Sequence, residues 1–244
     1  MGRRNLSDPV FATKLPDMDF FDAVARRRSI RNYSSTPVPP EVVNRAIDAS
    51  IIAPNSSNMQ LWQIYWVRDP QKKADLATAC MGQGAARTAQ ELVVFTANAK
   101  LWKRNQAHLL ESIKPMNRKD MNDYYGKLIP FLYGYQWLAP VKWLAVNAIG
   151  LFKPMAREVT GVRDRQETIV KSTALACENF MLAIAAQGFD TCPMEGFDSV
   201  RVRKVLGASR SERVVMVISV GERTERGVWG EQYRIPRSEV VHEI

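Results

Sequence analysis

The sequence has few of the residues that build metal centres or disulfide frameworks. Three cysteines, Cys80, Cys177 and Cys192, lie far apart in a chain of 244 residues, and the two histidines are His108 and His242. Thiols at such spacing form neither a disulfide framework nor a zinc ribbon. We therefore predict no metal site, and we expect a reducing compartment, the cytoplasm.

The sequence also lacks the short motifs of several large enzyme classes. It contains no G-x-x-x-x-G-K-S/T phosphate loop, no H-E-x-x-H zinc motif and no G-x-S-x-G nucleophile elbow. Gly82-Gln83-Gly84 begins like a dinucleotide fingerprint, but Arg87 stands where the third glycine belongs. We interpret this tripeptide as a turn. An enzyme of this composition would let a cofactor carry the chemistry, so no side chain is predicted to be catalytic.

No segment is predicted to span a membrane. The first residues include two arginines but no apolar core of a secretory signal, so residues 1–16 are expected to form a loosely ordered arm. The apolar stretch 137–152 is shorter than the roughly 20 residues that a bilayer requires. Pro140 and Lys142 also interrupt it. A buried or capping helix is the better interpretation of this stretch.

Positive charge is in excess, with 34 Lys and Arg against 25 Asp and Glu and a formal net charge of +9. A basic balance suits an anionic partner, which could be nucleic acid, an acidic membrane surface or a phosphorylated small molecule. The arginine runs at residues 3–4 and 26–28 are too short for a nucleic-acid tail. We therefore predict no nucleic-acid partner. Apolar residues at 46% and charged residues at 24% are typical of a globular protein.

Helix and strand patterns indicate one domain over residues 17–244. Runs of β-branched and aromatic residues predict four strands, at 60–67, 91–97, 189–193 and 213–220. Apolar periodicity and capping residues predict helices from residue 20 to the arginine run and at 40–51, 71–81, 168–187 and 198–206. The 168–187 helix is apolar on most sides and is expected to be central. Residues 98–160 are expected to be helical and irregular, because four prolines divide them. The pattern favours a three-layer α/β or α+β domain.

The densest cationic cluster lies where the first helix ends. It reads Arg26-Arg27-Arg28-Ser29-Ile30-Arg31-Asn32-Tyr33. Guanidinium forks and a serine hydroxyl are natural donors for a phosphate dianion. A solvated basic helix end, which the helix dipole favours, is the other interpretation.

Three further segments bear on that choice. Residues 53–62 read APNSSNMQLW, residues 188–197 read GFDTCPMEGF, and the tail carries YRIP at 233–236. Together with the arginine cluster they resemble the nitroreductase family, whose pattern is R-R-S-x-R-x-F/Y followed by A-P-S-S-x-N-x-Q-P-W, a flavin-edge loop and a C-terminal phosphate-binding segment. The resemblance is in order along the chain and extends over residues 20–244.

The resemblance implies an α+β fold with three layers, α/β/α. A central mixed, mainly antiparallel sheet would be flanked by helices in an intertwined homodimer, with the C-terminal tail crossing to the partner. It implies FMN as cofactor, NAD(P)H as electron donor and a ping-pong cycle that reduces a nitroaromatic, quinone or similar planar acceptor. Reductive dehalogenation, flavin fragmentation and enone reduction on the same fold remain alternatives. A non-catalytic FMN or nucleic-acid binder is a further one.

The resemblance also assigns residues by position. Arg27, Ser29 and Arg234 match ligands of the FMN phosphate, with Arg28 beside them, and Arg31 matches the cation at the pyrimidine side of the flavin. A second group would approach the flavin ring, in part from the partner subunit: Asn55, Ser56, Asn58 and, for an asparagine of the family, Gln83. Backbone N–H groups that face flavin N5 are expected from the loop Pro193, Met194, Glu195 and Gly196.

Some positions depart from the family pattern: Leu61 replaces proline, Asn55 replaces serine, and Gln232 replaces a second tail cation. A variable segment at about 103–160 is expected to roof the flavin. Its aromatic residues would stack on planar acceptors. They are Tyr124, Tyr125, Phe131, Tyr133, Tyr135, Trp137 and Trp143.

Overall fold

The centre of the domain is a four-stranded antiparallel sheet. A computed structural model describes residues 18–157 and 161–244, so the expected arm at 1–16 lies outside the described residues. The strands in those two ranges are β1 (Trp62–Val67), β2 (Glu91–Ala97), β3 (Asp190–Met194) and β4 (Arg213–Gly221), in the order β1-β2-β4-β3. All four pair antiparallel with their neighbours. The parallel pairing in the described chain is the isolated bridge between Ser29 and Thr191.

Helices precede, interrupt and follow this sheet. In chain order they are α1 (Phe20–Arg26), α2 (Pro40–Ile51), α3 (Pro70–Ala79), α4 (Gly84–Arg87), α5 (Trp102–Ile113), α6 (Lys119–Asp123), α7 (Ile129–Tyr133), α8 (Ala139–Ile149), α9 (Val162–Ala186), α10 (Ser199–Leu206) and α11 (Arg237–Val240). A π-helical turn, Tyr124–Leu128, joins α6 to α7. Five predicted helices and four predicted strands are thus present within a few residues of their expected bounds, and β2 has the expected ones.

Local chemistry explains several of these helix ends. Pro40 stands at the first position of α2, where its fixed φ and missing N–H cost nothing. The Asp69 carboxylate accepts the N–H of Lys72 at 2.8 Å and caps α3. Asp198 caps α10 in the same way, and Gly207 ends that helix in the left-handed region at φ 65°.

The core forms on both faces of the sheet, because successive strand residues point to opposite sides. On β2, Leu92 and Val94 pack with α3, α4 and α10, whereas Val93 and Phe95 pack with α2 and α9. The result is three layers, helix on sheet on helix. The predicted fold class, an α+β domain with three layers and a mainly antiparallel sheet, is confirmed.

Helix α9 is the central helix of one layer, as its apolar sequence indicates. In the described part of the chain it is the helix that is long and apolar enough to cross a membrane. Its buried side chains, including Phe180 and Ile184, pack between α2 and the sheet. This packing is that of a core helix.

The segment between β2 and α9 forms a third cluster beyond the sheet. Ile113, Tyr125, Ile129 and Tyr133 pack there against Met59, Leu61 and Ala97. The expected helical and irregular character of this segment is confirmed within the described residues. The stretch 137–152 was interpreted as a buried or a capping helix, and burial does not hold for most of its residues. In α8 the buried residues are Lys142 and Val146, and the other side chains are partly or fully exposed.

Candidate anion-binding site

The two ends of the described chain meet in a small cationic cavity. Its volume is about 160 Å³. The N-terminal side contributes Arg27, Arg28, Ser29 and Arg31, and the C-terminal side contributes Trp229, Glu231, Gln232, Tyr233 and Arg234. Four guanidinium groups therefore face one space together with one serine. Five of the residues that the family resemblance assigns to a cofactor are brought together here, although about 200 positions separate them.

A buried ion pair fixes the start of the arginine cluster. Asp190, at the beginning of β3, is buried and accepts the backbone N–H of Arg223 at 3.0 Å and its Nε at 2.9 Å. The Arg26 guanidinium lies 3.7 Å from the same carboxylate and donates to the Gly188 carbonyl O at 2.6 Å. The contacts of Arg26 therefore stabilise the fold. Arg27, Arg28 and Arg31 are the arginines of this cluster that line the cavity.

Backbone hydrogen bonds then hold the cluster extended beside β3. The Ile30 N–H donates to Thr191 O at 3.0 Å, and the Arg31 N–H donates to Gly227 O at 2.8 Å. Ile30 is fully buried in the core. Because side chains alternate along an extended segment, Ser29 and Arg31 face the other way. The sequence R-S-I-R therefore places one apolar residue inward and its polar neighbours at the cavity.

The cavity arginines make few hydrogen bonds within the chain. Arg28 Nη2 donates to Gly230 O at 3.0 Å, and Arg234 Nη1 donates to Tyr233 O at 2.8 Å. Arg27 Nε lies 3.9 Å from Glu178 Oε1, at the limit of an ion pair. Each guanidinium carries five N–H donors, so these contacts leave most of them available for an anion.

Two neighbours fix the position of Arg31: the Trp229 ring contacts its side chain, and Gly84 lies close to its backbone. Its guanidinium carbon lies 4.6 Å from the centre of the Trp229 ring, a cation–π contact. A side chain at Gly84 would place its Cβ 2.8 Å from the Arg31 carbonyl O, so glycine is required for this approach. The positive charge of the cavity also acts on a buried thiol nearby. Burial raises the pKa of Cys192, and the charges of Arg31 and Arg27 offset part of that rise.

The loop after β3 presents backbone donors. Within residues 18–157 and 161–244, the N–H groups of Glu195 and Gly196 donate to no protein acceptor, and both residues are exposed. Pro193 has no N–H, and the assignment of Glu195 and Gly196 as the backbone donors of this loop stays a prediction. The Met194 side chain is buried in the core, so this residue anchors the loop.

Gln83 holds the same loop in place. Its Nε2 donates to Gly196 O at 2.7 Å, and the residue stands at the N-cap position of α4. The tripeptide that resembled a dinucleotide fingerprint is indeed a turn before a short helix. In this position the Gln83 amide contacts the loop that is expected to face the flavin edge.

Asn55, Ser56 and Asn58 lie apart from the cationic cavity in the single chain. The Asn55 side chain accepts the Gln60 N–H at 2.8 Å, and the Ser56 N–H donates to Ser172 Oγ at 3.2 Å. Asn58 lines a larger, open cavity of about 790 Å³. The other residues around that cavity include Trp62, Arg104 and His108.

Hydrogen bonds join the 55–58 turn to the segment expected to roof the site. Ser57 Oγ lies 2.7 Å from the Tyr124 hydroxyl, and Tyr125 OH donates to Ser57 O at 3.3 Å. Ser57 has φ 55°, in the left-handed region, so the turn is tightly wound. One chain therefore carries two separate groups of candidate residues, the cationic cavity and this turn.

Sequence reasoning missed Trp229 and the larger cavity. A lone tryptophan in a polar tail belongs to no periodic pattern. The lining residues Arg104 and His108 come from α5, far along the sequence from Asn58. One signal in the sequence is the position of Trp229 five residues before Arg234, in a segment with two glycines. The composition of the tail does not predict that the Trp229 ring contacts Arg31.

The fold and the cavity define an α+β protein that gathers arginines beside strand β3. The chain belongs to the nitroreductase family, whose sequence profile, described as "Nitroreductase family", matches residues 24–222. The resemblance drawn from the four sequence segments is thereby confirmed.

Individual relatives carry different activities in their names. An NADH dehydrogenase of Thermus thermophilus is 28% identical over 227 residues, which cover 93% of this chain and 97% of that protein. An iodotyrosine deiodinase of Haliscomenobacter hydrossis is 22% identical over 205 residues, 83% of this chain and 78% of that protein. A chain from Exiguobacterium sibiricum, solved in complex with FMN, is similar with a TM-score of 0.69 at 20% identity, covering 93% of this chain and 98% of that one.

Proposed function

We propose that this protein is an FMN-dependent oxidoreductase that takes electrons from NAD(P)H and passes them to a nitroaromatic, quinone or similar planar acceptor. The observation that carries the proposal is the cavity in which Arg27, Arg28, Ser29 and Arg31 meet Arg234 from the other end of the chain. The family membership, the FMN bound by the Exiguobacterium relative and the name of the Thermus relative support it.

The donors around the cavity suit a phosphate group. Guanidinium forks bind phosphate in a bidentate manner, and a hydroxyl adds a further donor. A volume of about 160 Å³ holds one end of a ligand, since whole small-molecule sites occupy about 300 Å³ or more. The FMN phosphate would lie in this cavity and the rest of the cofactor outside it.

The protein's own groups would bind, orient and stabilise charge. FMN, when bound, supplies reversible acceptance of two electrons. Arg31, fixed by Trp229, provides a cation at the pyrimidine side, where it favours the negative charge of the reduced cofactor. The N–H groups of Glu195 and Gly196 provide donors toward N5, and Gln83 keeps their loop in place. No side chain is proposed as a nucleophile or general base.

We propose that the active form is a homodimer. Residues 229–244 are all exposed, and they include Tyr233, Ile235 and Val240. Phe20 and Phe21 are exposed on α1, at 60% and 76%. Apolar surface of this kind marks an interaction site. A tail that crosses to a second copy would cover it.

The dimer also gives a reason for the separation of the two residue groups. Asn55, Ser56 and Asn58 lie outside the cationic cavity of their own chain, and in the proposed dimer they would approach the cofactor of the partner. The part of the 103–160 segment around Tyr124 and Tyr125 would roof the site, since both side chains already contact the 55–58 turn. The site would then lie at the subunit interface, and function would require dimerisation.

A steady-state assay tests the proposal and separates it from its alternatives. Initial rates with NADH or NADPH against nitrofurazone and menadione should give parallel double-reciprocal lines, because donor and acceptor would occupy one site in turn. Turnover of an iodotyrosine or an enone, with inert nitro compounds and quinones, would favour the dehalogenase or reductase alternatives. A protein that oxidises no NAD(P)H and binds DNA or RNA in a salt-sensitive manner would contradict the proposal.

A further inference from the structure

Helix α8, the turn before it and the turn after it expose several large apolar side chains. We call this set the α8 patch: Trp137, Val141, Trp143, Leu144, Leu151 and Phe152. Their exposure ranges from 57% for Trp143 to 91% for Phe152. Isolated exposed apolar residues are common on proteins, but a group of this size on one short helix and its two flanking turns indicates an interaction surface.

The helix is turned with its charged residue inward. Lys142 is buried, and its Nζ donates to Gly134 O at 3.0 Å and also to Phe131 O. The ammonium lies 4.8 Å from the centre of the Phe131 ring. Val146, one turn further along, is the other buried residue of α8. An ordinary surface helix buries its apolar stripe and exposes its lysines, and α8 does the reverse.

The sequence segment that contains the patch is strongly basic. Residues 98–157 contain ten Lys and Arg against three Asp and Glu, a net charge of +7 out of the +9 of the whole chain. Lys153 follows the patch directly and is exposed. Two copies joined through this surface would bring these like charges together, which is unfavourable. An anionic surface with an apolar interior would match both the charge and the exposed side chains.

We propose that the α8 patch docks on an anionic lipid bilayer. Exposed tryptophans suit the boundary between headgroups and acyl chains, and basic residues are attracted to anionic lipids. The helix has 11 residues, or about 16 Å at 1.5 Å per residue, which is about half of a bilayer core. It would lie in the plane of the interface, as amphipathic anchors do. This inference does not depend on the proposed redox function, but it assigns Trp137 and Trp143 to the bilayer interface and no longer to stacking on an acceptor.

Vesicle flotation of the 244-residue chain as purified tests the inference. Vesicles of equal parts phosphatidylglycerol and phosphatidylcholine should carry the protein upward, and vesicles of phosphatidylcholine alone should carry much less. The double variant Leu151→Ser/Phe152→Ser removes two strongly exposed side chains of the patch that follow the helix. It should lower the partition coefficient at least about tenfold. Lys153→Gln should lower it about fivefold on the anionic vesicles alone.

A matched control is Val200→Ser, which removes an exposed apolar side chain from α10, a helix whose Val202 packs in the core with α3. It should partition as the wild type does. Circular dichroism and size-exclusion chromatography with light scattering check that each variant is folded and report its oligomeric state. Wild-type protein that ignores anionic vesicles, or a folded double variant that binds them as well as wild type, would overturn the inference. Loss of the dimer in the double variant, without vesicle binding by the wild type, would assign the patch to a subunit interface instead.

Discussion

Replacement of Arg234 by alanine should weaken FMN binding selectively. Arg234 approaches the cavity from the exposed tail. Its Nη1 donates to the carbonyl O of the neighbouring residue, Tyr233, at 2.8 Å. Truncation therefore leaves the core unchanged. A hydrogen bond to a charged group contributes about 1.5–3 kcal/mol, so the loss of one corresponds to an increase of roughly 10-fold to 150-fold in Kd. Binding should persist because three other cavity arginines remain.

The assay is a fluorescence titration of the flavin with apoprotein, performed with FMN and with riboflavin. Riboflavin lacks the phosphate, so its affinity should be the same for Arg234→Ala and for the wild type. Arg226→Ala is the matched control: it removes the same charge from an exposed residue of the same segment, outside the cavity lining. Equal weakening of riboflavin binding by Arg234→Ala would refute the phosphate assignment. So would an equal loss of FMN affinity in Arg226→Ala, because that would point to overall charge.

Three further variants probe the framework around the site. Gln83→Ala removes the 2.7 Å hydrogen bond to Gly196 O, about 1 kcal/mol, and should lower kcat/KM about fivefold with FMN still bound; unchanged kinetics would contradict a positioning role. Asp190→Asn should lower the free energy of unfolding in urea by about 2–3 kcal/mol, since charged hydrogen bonds to a buried carboxylate are lost; a change below about 0.5 kcal/mol would contradict this. Burial and the Glu212 carboxylate raise the pKa of Tyr65 from 10.0 to about 12. The folded state thus keeps a proton that the unfolded chain loses, so stability is present below pH 10 and falls as pH rises toward 12. Tyr65→Phe should flatten that fall in urea titrations, and an unaltered alkaline slope would count against the assignment.

Much of the fold could be predicted because local patterns and final packing agree. β2 has its expected bounds because Leu92, Val93, Val94 and Phe95 alternate between two apolar layers. α9 could be identified as central because it is apolar on most sides. The arginine cluster could be assigned because its residue types and spacing match phosphate chemistry and a family pattern at once.

The errors have equally physical causes. The 137–152 stretch was interpreted as a buried or a capping helix, but an apolar composition does not determine which side of a helix meets the core. In α8 the carbonyl groups of Phe131 and Gly134 bind Lys142 and turn the apolar residues outward. Asn55, Ser56 and Asn58 do not line the cationic cavity of their own chain, and their approach to a cofactor across a dimer interface stays a prediction.

The central claim is that this arginine-lined cavity binds FMN in a redox-active position. The most direct measurement is an anaerobic absorbance titration of apoprotein, first with FMN and then with NADPH or NADH. We expect saturation at one FMN per chain. One equivalent of NADPH or NADH should then bleach the absorbance band of the bound flavin. A colourless protein that takes up no FMN would show that the arginines serve another anion. Bound FMN that is reduced by neither NADPH nor NADH would contradict the proposed electron transfer.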